Sequence, residues 1–199
     1  SVSNITKTSG GADREDDDAY RNRIRLRPRA FSVAGPHGAY QYYTLTSHQD
    51  IKDSYIYTPP STPGIVKIIP LLKNGELPSQ EILEKIKEKL ADDVRPLTDK
   101  IEIEKPKVQS YNIDIKYWTK KGDNPILVKK EVEAAFSEYI YWQKEKLGRD
   151  INPNKLTQLL ILAGAKRVEI TSPIFQKIEK DTVAKELTKS IKYIGEEDE

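Results

Sequence analysis

The sequence predicts an α+β protein in which an amino-terminal helical segment is followed by two small α/β sandwich modules. Three observations lead there. Charges near the start are sorted, acid before base, in the order a helix macrodipole favours. Alternating apolar residues around Ile51 to Thr58, Ile65 to Leu72 and Tyr111 to Tyr117 have the period of strands. Between them, residues such as Ile82, Leu83, Ile86 and Leu90, and later Val128, Val132, Phe136 and Ile140, recur at helical spacing. Helices that follow strands in two consecutive sets cover one face of each short sheet. The expected division is residues 1–48 for the helical segment, 49–105 for the first module and 106–199 for the second.

The first helix is expected from about Asp13 to Arg27. Five of the six residues from Asp13 to Asp18 are acidic, and five of the nine from Arg21 to Arg29 are arginine, out of nine arginines in the whole chain. Gly10 and Gly11 supply a flexible lead-in, Asp13 serves as a cap, and Pro28 stops the helix. One turn apart, Asp17 faces Arg21 and Arg14 faces Asp18, while Tyr20 and Ile24 share a narrow apolar stripe. Lysine would serve a solvated face equally well, and this chain otherwise prefers lysine. Arginine suits a planar fork that must meet carboxylates, phosphates or aromatic faces at an interface. Asp13, Glu15, Asp17, Tyr20, Arg21, Arg23, Arg25 and Arg27 therefore read as a surface to be covered, by another part of the chain or by another subunit.

Gly35-Pro36 opens a second short helix reaching about Ser47, with Ala39, Tyr40 and Tyr43 at helical spacing. The two strands that follow are separated by a proline-rich turn ending at Gly64. Lys73-Asn74-Gly75 reads as a turn, Ser79 as the cap of the next helix, and Asp99 to Glu104 as a strand. In the second module a strand through Tyr117 leads to a turn at Gly122 to Pro125 and a long helix to about Lys146. Asn152-Pro153 starts a helix that Gly164 ends, and Arg167 to Thr171 is a strand. The last strand is expected only from about Leu187, with Gly195 to Glu199 as a loose end.

The 33 basic and 31 acidic residues leave a net charge of +2, without the basic excess that phosphate binding usually leaves. No run approaches a membrane-spanning length, and Ser1-Val2-Ser3-Asn4 lacks the order of a signal peptide. The chain contains no cysteine, which removes disulfides, thiol catalysis and cysteine-type zinc sites. Eleven tyrosines against three phenylalanines favour surfaces that are sometimes wet and sometimes covered. Tyr40 belongs to the cluster Tyr40, Tyr42 and Tyr43 and joins the expected interface.

Candidates for chemistry are few, and no enzyme activity is expected. A calcium loop starting at Asp13 would need glycine at its sixth position and glutamate at its twelfth, where Asp18 and Ile24 stand. His37 and His48, the two histidines, fall in no metal or catalytic spacing. Phosphate-cradling and nucleophile-elbow motifs are absent from the sequence. Neither a metal nor a cofactor is expected. A nucleic-acid-binding module using the Arg-rich helix, with Tyr20 and Phe31 for stacking, is the alternative reading. The acids immediately upstream would repel the same phosphates.

Gly10, Gly11, Asp13 and Glu15, followed by Tyr20, Arg21, Arg23 and Ile24, then Ala34, Gly35, Pro36, Ala39 and Tyr40, resemble the signature of the baseplate J-like proteins. These belong to contractile-tailed bacteriophages and related phage-tail-like particles. Gly64-Ile65-Val66 and Asp93-Val94-Arg95-Pro96-Leu97-Thr98-Asp99 resemble the same family, so the likeness extends over nearly the whole chain. The resemblance, together with the absence of methionine, implies the carboxyl-terminal two thirds or so of a longer protein. It also implies structural work in a virion baseplate assembled in the bacterial cytoplasm. Other J-like chains and a companion tail protein would be the partners in wedges that join around the tail hub, with no nucleic acid or membrane involved. Gly10, Gly11, Gly35, Pro36, Arg95 and Pro96 are the expected structural motif positions, and the protein is expected to be oligomeric in the full assembly.

Overall fold

A residue buried on one face of a strand needs a helix or a second sheet above it, and strand β2 (Ile65–Leu72) meets that need on both faces. The computed structural model describes residues 16–28, 37–90, 96 and 98–198. Within them, α1 (Asp17–Leu26) and α2 (His37–Ser47) precede β1 (Ile51–Tyr57), β2, α3 (Gln80–Lys89) and β3 (Lys100–Ile103). A second set follows: β4 (Lys107–Lys120), α4 (Pro125–Lys144), α5 (Pro153–Leu162), β5 (Arg167–Ser172) and β6 (Thr182–Glu197). The α+β class is as expected from the sequence.

The first sheet has the order β1-β2-β3, with β1 antiparallel and β3 parallel to the central strand. Its even-numbered residues Val66, Ile68 and Leu72 face α2 and α3, where they meet Tyr40, Leu83, Ile86 and Leu90. Ser79 caps α3, its hydroxyl accepting from the Ile82 amide. The second sheet has the order β5-β4-β6, with β5 antiparallel and β6 parallel to β4. Tyr111, Ile113, Ile115 and Tyr117 point from β4 into a core closed by Val132, Phe136 and Tyr139 of α4 and Leu156 and Leu160 of α5. Asn124 and Asn152 cap these two helices, each followed by proline. The two sets share an architecture but not a connection order. In the first the central strand follows its antiparallel neighbour, and in the second it comes before both helices and both neighbours.

Two sequence expectations at the carboxyl end are corrected. The last strand starts at Thr182 rather than near Leu187, and it continues through Gly195 to Glu197 instead of ending in a loose tail. Thr182, Val183 and Ala184 show no alternation because both faces are buried there. Val183 joins the cluster between the two sheets, and Ala184 the core under α4. The end is held by a fork: the Arg167 guanidinium donates to Glu197 at 2.6 to 3.1 Å and lies 3.5 Å over the Trp118 ring.

The sheets are joined by the odd-numbered face of β2. Ile69 and Leu71 pack with Leu147 and Val183, flanked by the stacked rings of Tyr55 and Tyr57. At the same seam the Leu147 amide donates to Asp53 at 2.9 Å, and Lys144 pairs with Glu186 and Lys185 with Glu76, each at 3.4 Å. Next to Leu147, within the second module, Gly148, at φ +63, lies so close to the segment before β6 that a β-carbon there would sit 2.9 Å from the Lys180 Cα. Leu147→Ala is expected to lower stability by about 2–5 kcal/mol in urea unfolding, the usual range for a buried leucine. Gly148→Ala is expected to be destabilising as well, through backbone strain and the clash with Lys180.

Candidate assembly interface

Asp16, immediately before α1, accepts from the Ala19 amide at 2.8 Å and so fills the capping role expected of Asp13, which lies outside the described residues. That hydrogen bond, first among several influences, holds the Asp16 carboxyl below its ordinary value of 3.8. Asp17 and Asp18 then occupy the first turn, and Arg23 and Arg25 the last. Arg21 pairs with Asp18 at 2.8 Å and with Asp17 at 4.0 Å, and these side chains are 70–89% exposed. The order of charge is as the sequence implies, although the nearer bridge spans three residues rather than four.

The buried side of α1 is not the stripe that the sequence suggests. Tyr20 and Ile24 are 49% and 52% exposed, whereas Leu26 is 4% exposed. Ala19 and Asn22, half-buried, lie on the Leu26 side of the helix. The spacing 19, 22, 26 is as helical as 20, 24, but alanine and asparagine made it inconspicuous. Leu26 reaches toward Tyr42, Leu45 and Ile51 around a cavity of about 280 Å³ between α1, α2 and β1. The Arg27 guanidinium lies 5.5 Å over Tyr42, and that of Arg23 5.2 Å over Tyr20. Arg25 donates to Asn22 at 3.0 Å.

Tyr40 must be moved from the expected interface to the interior. Its side chain is 3% exposed, and its hydroxyl donates to the Asp99 carboxylate at 2.6 Å, joining α2 to the turn before β3. That turn is closed by the Asp99 amide on the Pro96 carbonyl at 3.1 Å, and the Lys100 amide bonds the Gly64 carbonyl at 2.8 Å. His37 adds a second tie, its Nε2 donating to the Ile56 carbonyl at 2.9 Å. Tyr40, Gly64, Pro96 and Asp99, far apart in sequence, thus meet on one side of the first sheet. Gly10, Gly11, Glu15, Gly35, Pro36 and Arg95 lie outside the described residues.

Titrating groups elsewhere are accounted for by packing and ion pairs. Hydrogen bonds from Lys85 and Arg167 hold Glu81 and Glu197 below their ordinary values. Burial pushes the Tyr139 hydroxyl up to about 12 and raises that of Tyr111. Among the described residues, no three histidine or carboxylate side chains gather as metal ligands do, and no helix is long and apolar enough to cross a membrane.

A sheet strapped by Tyr40 and Asp99, with a charged helix displayed at its edge, defines a scaffold with an exposed polar surface. Residues 32–105 match the family model of the baseplate J-like central domain. It is 28% identical over 187 residues to baseplate protein J of Escherichia phage P2, covering 93% of this chain and 61% of that protein. The fold is similar to a chain in the cryo-EM structure of the anti-feeding prophage baseplate, with TM-score 0.56 and 14% identity. That likeness covers 89% of this chain and 43% of the other, so the chain spans less than two thirds of either relative's length.

The Asp16 cap has a signed pH dependence. Because folding lowers this carboxyl's pKa, its contribution is complete above the ordinary value and is lost as pH falls through the lower folded value. The protection of α1 amides, taken relative to their intrinsic exchange rates at each pH, is expected to fall below pH 3.8 before the sheets unfold, and Asp16→Ala to lower it at neutral pH.

Proposed function

We propose that the chain is a structural, non-enzymatic subunit of the baseplate of a contractile phage tail or phage-tail-like particle. The relation to baseplate protein J along 93% of the chain carries this reading. In it, the two joined sheets act as a rigid spacer, and α1 brings the faces of Asp17, Tyr20, Arg21, Arg23, Arg25 and Arg27 to a neighbouring subunit. The neighbours are other J-like chains and a companion baseplate protein, and the site of action is the virion baseplate, assembled in the bacterial cytoplasm. Repetition of modest contacts by rotational symmetry would give the ring its strength. A charged contact of this kind tunes specificity and association rate more than raw affinity, and it weakens as salt screens it.

The test is charge reversal of Arg21, Arg23 and Arg25 to glutamate together. These residues are exposed, so the isolated chain is expected to melt within a few degrees of the unaltered one. Introduced into the particle-forming protein, the same change is expected to reduce intact baseplates at least ~10-fold by electron microscopy, as several desolvated charge pairs become repulsive. Normal particle numbers would contradict the reading.

A further inference from the structure

The turn Lys73-Asn74-Gly75, between β2 and α3, holds Asn74 at φ +58 and ψ +18 and Gly75 at φ +70. Two consecutive left-handed residues suit few side chains, and asparagine followed by glycine is the pair that accepts them most readily. The same pair is chemically the least durable in a polypeptide. Glycine has no β-carbon to shield its amide nitrogen, which can attack the side-chain carbonyl of an asparagine before it. Asn74 is the one asparagine of the chain that precedes glycine, and it is exposed.

We propose that Asn74 is a deamidation site, guarded by the native turn and uncovered when the seam between the two modules opens. In the reaction the deprotonated Gly75 nitrogen bonds to Asn74 Cγ, the bond from Cγ to the side-chain nitrogen breaks, and ammonia leaves with the proton that Gly75 gave up. Water then opens the resulting succinimide at either carbonyl. The products are aspartate and isoaspartate, and in isoaspartate the main chain runs through Cβ and Cγ and is one atom longer. Water is the one co-reactant, and no electron is transferred.

Ring closure needs a strongly negative ψ at the asparagine, far from the +18 of Asn74. Backbone hydrogen bonds hold the native value: the Lys73 amide donates to the Asp50 carbonyl at 2.8 Å, Leu72 to Glu76 at 3.0 Å and Glu76 to Lys73 at 3.2 Å. The seam locks the turn from the other side. Gly75 lies against α4, where a β-carbon would sit 2.9 Å from the Lys144 Cβ, and Glu76 pairs with Lys185 at 3.4 Å. Rotation about ψ of Asn74 displaces Gly75 from this close contact, so the reaction waits for the contact to open. The two products then behave differently. Aspartate tolerates left-handed backbone and leaves the chain length unchanged, so the seam recloses. The additional backbone atom of isoaspartate has no room beside Lys144, and a chain that has formed it cannot restore the contact. The site and its guard are independent of the baseplate reading.

For the test, the 199-residue chain is incubated at mildly alkaline pH in native buffer and in denaturing urea, and its peptides are followed by mass spectrometry for conversion of asparagine to acid. Asn74 is expected to react first among the seven asparagines, and at least ~10-fold faster in urea, because the rate follows the open population. Leu147→Ala, which weakens the seam away from the turn, is expected to speed the reaction in native buffer at least ~10-fold by the same coupling. Should that variant not fold, urea below the unfolding transition replaces it, and the rate is expected to rise with urea. Hydrogen exchange then reads the seam through the Leu147 amide, which donates to Asp53 across it. That amide is expected to stay protected in Asn74→Asp and to lose protection in the separated isoaspartyl chain. Equal rates in native buffer and urea, faster reaction at another asparagine, a native rate indifferent to weakening of the seam, or an isoaspartyl chain with the Leu147 amide still protected would each overturn the proposal.

Discussion

Two-sided burial of β2 is the constraint on which the rest of the structure depends. Along Val66, Ile68 and Leu72 the strand faces its own helices, and along Ile69 and Leu71 it faces the second module. Period-two geometry turns one short apolar run into two interfaces. Those interfaces make the sheets mechanically continuous: Leu147 and Val183 complete the seam, Asp53 holds the Leu147 amide, and Gly75, at φ +70, lets the first module approach Lys144. A chain without that seam would be two small sheets on a tether, unsuited to hold neighbours at a set distance.

Local signals carried much of the fold. The caps at Ser79 and Asn152-Pro153 and the apolar periodicity after Pro125 marked three helices, because each signal is complete within a few residues. The start of β6 was hidden since Thr182, Val183 and Ala184 serve different cores and so lose polar alternation. Its end was hidden since Glu197 is held by Arg167, thirty residues away. The candidate surface was legible in the same uneven way. Charge order on α1 was plain, but its buried side rests on Ala19, Asn22 and Leu26, a pattern with one strongly apolar member. Tyr40 looked like a surface aromatic because its partner, Asp99, lies 59 residues further on.

Tyr40 and α1 divide the work at the edge of the first sheet. The tyrosine, with Asp99, Pro96 and Gly64, fastens α2 and the turn before β3 to that sheet. Leu26 fastens α1 to α2, leaving the opposite side of α1 in solvent. The apolar anchor fixes where the helix sits, and the charges are left for recognition. Exposed ion pairs such as Arg21 with Asp17 and Asp18 add little to the fold itself, which makes them free to exchange partners when a neighbour arrives.

Under the proposed baseplate role, a rigid pair of sheets that presents one polar helix would serve as a spacer whose contacts are repeated around a ring. The most direct measurement is a cryo-EM reconstruction of the assembled particle containing this protein, at a resolution that places side chains. The expected result is that both sheets keep the relation set by the Leu147 seam while Tyr20 and Ile24 are buried against another subunit. A reconstruction with the sheets rearranged, or with that face of α1 open to solvent in the complete baseplate, would contradict it.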